Sequence, residues 1–292
     1  MKRLFLQYIC LVLLFAGNLG LLNAFEMELT VGANGMTFHP DKSRAYIDTG
    51  DTFNAYPYGL GNFSIRNDIS EALAFDISIE RDNILQNSAT FKLFSRTDYF
   101  RFEIGPFLGL TDNFDIPDAG MTGGLEFTYP GVIFLSISGS STLGSQLDFT
   151  SDNSREAVEV KLGFWLGNLI PSFSINTRNL TRQKEEFLII SDTLTRMQAS
   201  ADFYAKNTRF TGRFDAGYQT YTRSYKRGNL EYIDELSAWF AGFEFCWQVS
   251  QSLRLKTGLE VPFLISPVQP LTVTPEFWFL SRASAGFIYT FN

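Results

Sequence analysis

Apolar and polar residues alternate along most of the chain after Phe25. In 158–166, for example, Val, Val, Leu, Phe and Leu alternate with Glu, Lys, Gly and Trp. This two-residue period is typical of a β-strand with two different faces, and no 3.6-residue helical period persists anywhere in this region. The runs are about 10 residues long, enough to cross an apolar band about 25 Å tall at a strong tilt.

Turn-forming residues separate these runs, and the connections alternate between short turns and longer loops. Short turns are predicted near Ile69–Glu71, Asp98–Tyr99, Pro130–Gly131, Asn168–Leu169, Asn207–Thr208 and Ser250–Ser252. Longer loops are predicted near 40–59, 83–88, 113–119, 145–154, 185–192, 227–234 and 267–279. These thirteen connections predict fourteen strands in an all-β, antiparallel, up-and-down sheet, with twelve or sixteen strands as alternatives.

The two faces of the predicted strands differ in charge. One face has almost no charged residue through the middle of any strand. The other face carries many charged residues: Glu28, Arg66 and the predicted pore-lining residues named below. A charge that faces lipid at mid-depth costs about 2–4 kcal/mol, so this exclusion indicates a transmembrane β-barrel rather than a secreted two-sheet sandwich. The predicted pore-lining residues are Asp76, Glu80, Lys92, Arg96, Arg101, Glu103, Glu126, Glu159, Lys161, Arg178, Asp202, Arg213, Asp215, Glu244, Arg254, Lys256 and Glu260.

The first 24 residues read as an export signal. Lys2 and Arg3 precede an almost uncharged stretch, and the segment ends in a loose cleavage site at 22–24. We therefore expect residues 1–24 to be a removed signal peptide and 25–292 to be one barrel domain. A transmembrane anchor is the alternative, although no positive flank follows the apolar stretch.

Composition limits the chemistry. The chain has 24 basic and 31 acidic residues without basic clusters, so no nucleic-acid partner is expected. Removal of 1–24 would leave Cys246 as the one cysteine, which excludes an internal disulfide. His39 is the single histidine, and Asp48 or Asp51 in the following loop could orient it. A single loop histidine is weak support for a catalytic site. We expect no enzyme activity, cofactor or metal.

The end of the chain carries a family resemblance. Ser284, Gly286, Tyr289 and Phe291 take the positions of the assembly signal of bacterial outer-membrane β-barrels, with Asn292 one residue beyond the usual aromatic end. In size and strand count the chain resembles the monomeric fourteen-strand porins, or a FadL-type barrel without its plug; it matches no single family. The resemblance implies the outer membrane of a diderm bacterium, with outer-membrane lipid and the barrel-assembly machinery as partners.

The predicted lumen leaves several hypotheses open. Its charges either line a water-filled pore or pair between strands, for which Asp76 and Glu80 with Lys92 and Arg96, and Glu244 with Arg254 and Lys256, are candidates. Loops 40–59 and 267–279 are the candidate lids. Inward aromatic residues suggest a greasy track or simple packing against glycine: Phe94, Phe107, Phe134, Trp165 and Phe240.

From these features we expect a porin-like channel for passive diffusion of small hydrophilic solutes. The alternatives are a FadL-like barrel for hydrophobic or amphipathic ligands and a non-conducting barrel that displays interaction loops.

Overall fold

The computed structural model describes residues 25–36, 58–82, 84–110, 118–143, 153–185, 188–204, 209–227, 229–267 and 281–291. These residues form fourteen strands. In chain order the strands are β1 (Phe25–Met36), β2 (Tyr58–Asp68), β3 (Leu73–Asp82), β4 (Gln86–Arg96), β5 (Phe100–Leu110), β6 (Asp118–Tyr129), β7 (Ile133–Thr142), β8 (Asn153–Phe164), β9 (Leu169–Glu185), β10 (Leu188–Tyr204), β11 (Phe210–Arg227), β12 (Leu230–Gln248), β13 (Leu253–Pro267) and β14 (Ser281–Phe291).

The strands form one closed antiparallel barrel. Each strand pairs with its neighbours in sequence, and β14 closes the barrel on β1, with Phe25 opposite Phe291 and Val31 opposite Ala285. Closure removes the unpaired edges that an open sheet would leave. The predicted fold class and the count of fourteen strands are confirmed.

Five of the six short turns lie where the sequence predicts them, and the sixth, Asn207–Thr208, falls outside the described residues. These five turns are at the end of the barrel where Phe25 and Phe291 lie. We call this end proximal and the opposite end distal. Local side chains shape these turns: the Ser70 hydroxyl accepts hydrogen bonds from the backbone N–H groups of Ala72 and Leu73, and Ser250 does the same for Ser252 and Leu253.

Two of the predicted distal loops are wrong. β9 continues to Glu185 and β10 starts at Leu188, so 185–192 is mostly strand. β11 likewise continues to Arg227 and β12 starts at Leu230, within the predicted loop 227–234. The polar residues that suggested loops are paired strand residues instead. The connection predicted at 83–88 is also shorter, because β4 already begins at Gln86.

Most of the two predicted lids lies outside the described residues: 40–57 of the lid 40–59, and 268–279 of the lid 267–279. His39 and residues 1–24 also lie outside them. No helix long and apolar enough to cross a membrane is found in the part of the chain that is described.

Candidate functional site: the barrel interior

Contacts between strands that are not neighbours identify the inner face of the sheet. Arg178 on β9 binds Asp82 on β3, with 2.6 Å between Nη1 and Oδ2. Arg196 on β10 reaches Glu260 on β13 at 2.8 Å. Such pairs can meet only through the interior. The strand registers then place every predicted pore-lining residue on this same face.

The inner charges form ion pairs, but only part of the predicted pairing is found. Lys256 lies 3.2 Å from Glu28 and 3.4 Å from Glu244, so the predicted Glu244–Lys256 pair is present. Arg254 binds Glu26 of β1 rather than Glu244.

On the other side of the barrel, Asp76 lies directly opposite Lys92 in the sheet, whereas the Lys92 ammonium lies 3.2 Å from Glu103. Glu80 faces neither predicted partner; its nearest cation is Arg178, at 3.9 Å. Alternation alone gives the face of a residue but not its height relative to strands farther round the barrel.

Phe240 shows how an aromatic ring fits on the inner wall. Its side chain is fully buried, and a Cβ on Gly217 of the next strand would lie 2.8 Å from its ring. The Arg196 guanidinium covers the ring, 4.1 Å from its centre. The ring therefore lies between glycine and a cation rather than facing the lumen.

Phe134 repeats this arrangement. A Cβ on Gly163 would lie 2.3 Å from its ring, and the Lys161 ammonium lies 5.5 Å from the ring centre. Trp165 packs edge-on against the same ring at 5.2 Å. The inward aromatics thus pack along the wall, which was one of the two interpretations of the sequence.

A cavity of about 380 Å³ lies against the wall formed by β8 to β14. Its basic side chains come mainly from β8 to β11 and its acidic ones largely from β11 to β13. The charged lining consists of Lys161, Arg178, Arg196, Arg213, Arg282, Glu159, Asp215, Glu244 and Glu260. The glycines Gly242 and Gly258 leave room on the acidic side.

The tip of the β3–β4 hairpin projects into the lumen. Ile84 is 4% exposed and belongs to one buried cluster with Leu194, Tyr221 and Ala238, against which Leu85 also packs. These three partners lie on β10, β11 and β12, on the opposite side of the barrel. Ile84 also lines the 380 Å³ cavity, so the tip borders it at the distal side.

Asp82 holds this tip in place. One carboxylate oxygen accepts the backbone N–H groups of Ile84 at 2.7 Å and Leu85 at 2.5 Å. The other oxygen accepts the hydrogen bond from Arg178 across the lumen. Asp82 is only 3% exposed, so the ion pair is shielded from water on the carboxylate side, whereas the Arg178 side chain is 32% exposed.

The sequence analysis missed several of these residues. Arg196 has the same parity as Asp202 on β10 and could have been found by extending that strand backwards. Arg282 has the same parity as Ser284. The role of Asp82 and Ile84 has no signal in the alternation, because Ile84 belongs to the predicted loop 83–88 and Asp82 directly precedes it.

Two further charged clusters are buried near the distal end. Arg155 is 1% exposed, and its Nε lies 2.9 and 2.8 Å from the two carboxylate oxygens of the fully buried Asp118. Asp192, 4% exposed, binds the guanidinium groups of Arg182 and Arg223.

Tyr221 also donates its hydroxyl to Asp192, at 2.5 Å. This tyrosine therefore faces inward. Outward aromatic pairs do occur elsewhere: Tyr99 stacks on Tyr129 at 6.2 Å at the proximal end, and Tyr218 meets Trp239 at 5.5 Å in the middle of β11 and β12.

The residues of the C-terminal motif divide between the two faces of β14. Phe291 stacks on Phe25 at 4.0 Å and Tyr289 packs on Phe291 at 4.5 Å, on the outward side of the closing seam. A Cβ on Gly286 would lie 2.3 Å from the Leu29 carbonyl oxygen, so β1 and β14 approach each other here as only glycine allows. Ser284 lines the cavity.

Among the described residues, no group of three or more His, Cys, Asp or Glu side chains is arranged as metal ligands. Cys246 has a free thiol on the inner face.

Comparisons with known proteins return structural likeness only. No protein-family model matches the chain, and no curated protein matches it. An outer membrane channel from Pseudomonas putida F1 is similar with a TM-score of 0.47 and 8% identity, over 92% of this chain and 96% of that one. OmpT, an outer membrane protein of Vibrio cholerae, has a TM-score of 0.44 and 9% identity, over 92% and 97%. The CymD monoaromatic hydrocarbon channel has a TM-score of 0.38 and 8% identity, over 92% and 88%.

Proposed function

We propose that this chain is an outer-membrane channel of a diderm bacterium, through which small hydrophilic solutes diffuse passively. The observation that carries the proposal is the contrast between a charged inner wall, which surrounds a cavity, and an outer wall that is apolar and uncharged along its central belt. The proposal includes export with removal of residues 1–24 as a signal peptide, and no catalytic role.

The outer wall supports a membrane location. Large apolar side chains stand outward and exposed at mid-strand, among them Ile104 at 59%, Val158 at 53% and Phe214 at 61%. In water such a continuous apolar belt would favour aggregation, whereas in a bilayer it would contact the hydrocarbon chains of the lipid. A closed barrel also satisfies its backbone hydrogen bonds within the sheet, as lipid requires.

The inner wall favours hydrophilic solutes over hydrophobic ones. Phe134 and Phe240, which were candidates for a greasy track, are each covered by a cation and packed on glycine. The surface that remains towards the cavity is formed largely by guanidinium, ammonium, carboxylate and hydroxyl groups. The FadL-like alternative therefore has little apolar lumen surface to support it.

The barrel-assembly machinery is the proposed partner in biogenesis. Tyr289 and Phe291 present aromatic rings on the outer side of the strand that closes the barrel. This position suits a strand that first pairs with the assembly machinery and then pairs with β1 to close the barrel. Outer-membrane lipid around the belt is the second proposed partner.

Single-channel conductance in planar bilayers tests the function, with protein purified from the outer-membrane fraction. We expect stable current steps and an ion selectivity that depends on the lumen charges. Arg213→Gln should shift the selectivity towards cations and Glu244→Gln towards anions, because both side chains line the cavity.

Glu156→Gln is the matched control, since Glu156 is exposed and lies on the outward side of β8. It should leave the selectivity unchanged. A folded and inserted barrel that passes no current would contradict the channel and favour the display of surface loops.

A further inference from the structure

The β3–β4 hairpin tip spans the lumen with very few residues. β3 ends at Asp82 and β4 begins at Gln86, and the inward contacts described between them are those of Ile84 and Leu85. Ile84 reaches side chains of β10, β11 and β12. Five strands lie between β3 and β9, the strand that carries Arg178. The tip therefore places an apolar side chain inside an interior that is lined largely by charged and polar side chains.

The inward position of the tip depends on one carboxylate. Asp82 shapes the tip by accepting two backbone N–H groups, and it tethers the tip by binding Arg178 at 2.6 Å. An ion pair of this geometry, shielded from solvent on the Asp82 side, is a strong single tether.

The backbone next to the tip adopts a conformation that needs support. Gln86 has a φ of 59°, in the left-handed region that a residue other than glycine rarely adopts. The contacts of Asp82 and Ile84 hold the inward tip beside this residue. An element that is held by a few contacts against local strain is suited to have a second position.

We propose that the β3–β4 tip is a gate of the channel, held closed by the ion pair between Asp82 and Arg178. This proposal rests on the proposed channel function. In the closed position Ile84, Leu194 and Tyr221 form an apolar constriction, which hinders water and ions by dewetting. Release of Asp82 from Arg178 withdraws Ile84 from the far wall and connects the cavity with the distal mouth.

Asp82→Asn separates the two roles of the carboxylate. The amide oxygen still accepts the N–H groups of Ile84 and Leu85, so the turn keeps its shape, whereas the charge that binds Arg178 is lost. Arg178→Gln removes the same ion pair from the opposite wall.

Labelling of a thiol at the tip tests the gate without any measurement of transport. In a Cys246→Ser background, Ile84→Cys places the thiol where only 4% of the native side chain is exposed, so a hydrophilic maleimide should react slowly. Adding Asp82→Asn should accelerate labelling at least about tenfold, a factor that corresponds to about 1.4 kcal/mol. Glu26→Gln, which breaks the ion pair with Arg254 at the proximal end, is the control and should leave the rate unchanged.

Conductance measurements on the same variants distinguish an error in the gate proposal from an error in the channel proposal. Asp82→Asn and Arg178→Gln should both increase the time spent in the highest conductance level. Equal labelling rates with and without Asp82→Asn, together with unchanged open times, would overturn the gate but leave the channel intact. Faster labelling without any current in any variant would establish the movement and contradict the channel.

Discussion

Strands β3 to β8 are 10 to 12 residues long, whereas β9 to β12 are 17 to 19 residues long. The shorter length spans an apolar layer of about 25 Å at the usual tilt. The longer strands therefore extend about six residues beyond such a layer. One barrel thus contains a sector matched to a membrane and a sector that projects from its distal end.

The outward side chains of the two sectors differ accordingly. In the short sector they are large and apolar to the end of β5, with Leu108 at 53% exposure. In the long sector the apolar face stops near Met197 and Trp239. Beyond that level hydroxyl and amide groups bond to one another across strands, as in the pairs Thr177–Thr195 at 3.3 Å and Thr181–Ser191 at 3.0 Å. These groups suit water or sugar rather than hydrocarbon.

The inward side chains of the long sector form a buried charged cluster around Asp192. In the proposed membrane location the projecting strands have no lipid around them. Asp192 joins β9, β10 and β11 on their inner face through two arginines and a tyrosine. We infer that buried charge stabilises the projection, whereas the match to lipid stabilises the short sector.

The largest expected effect is at Asp192. Asp192→Asn would leave Arg182 and Arg223 without their shared anion, and we expect a loss of about 3–5 kcal/mol in the free energy of unfolding. Urea unfolding in phospholipid vesicles, followed by tryptophan fluorescence, measures it. Asp202→Asn is the control: its ion pair with Arg213 is about one-third exposed on each side, so the loss should stay within about 1 kcal/mol. Equal losses would refute a special role for the buried cluster.

A charge placed on the outer wall tests the two sectors directly. Ile104→Arg, at mid-strand in the short sector, should cost about 2–4 kcal/mol of unfolding free energy because the guanidinium would face hydrocarbon. Ser224→Arg, on the outward side of the projecting part of β11, should cost less than about 1 kcal/mol. The same urea titration compares them. A similar cost at both positions would mean that the long strands are also immersed in lipid.

The smallest expected effect concerns the packing of the inner wall. Gly217→Ala would bring a Cβ to 2.1 Å from the Met197 carbonyl oxygen and 2.8 Å from the Phe240 ring, so the sheet or the ring must shift. We expect a loss of about 1–3 kcal/mol. Gly59→Ala, where no atom lies within 4 Å of the new Cβ, should be close to neutral. If Gly217→Ala proved neutral, the close packing of Phe240 on the wall would be wrong.

The sequence predicted the barrel well and its distal end poorly. The alternation of residues gave the face of each charged side chain, from Asp76 on β3 to Glu260 on β13, and the turn residues gave the strand count. The loop predicted at 227–234 was wrong because β11 continues to Arg227 and β12 starts at Leu230. The loop predicted at 185–192 was wrong because Asp192 is polar in sequence but buried, and it binds Arg223 of the neighbouring strand. A single strand pattern cannot show such a pair, since the partners lie 31 residues apart.

What the sequence determined by itself follows from local physics. A two-residue period specifies which side chains share a face, and glycine, serine and proline specify where a strand can end. The tertiary structure alone decided which charges meet across the lumen, as Asp82 and Arg178 do from positions 96 residues apart. It also decided that Ile84 turns inward, because that contact depends on the barrel being closed: only closure brings β3 to face β10, β11 and β12.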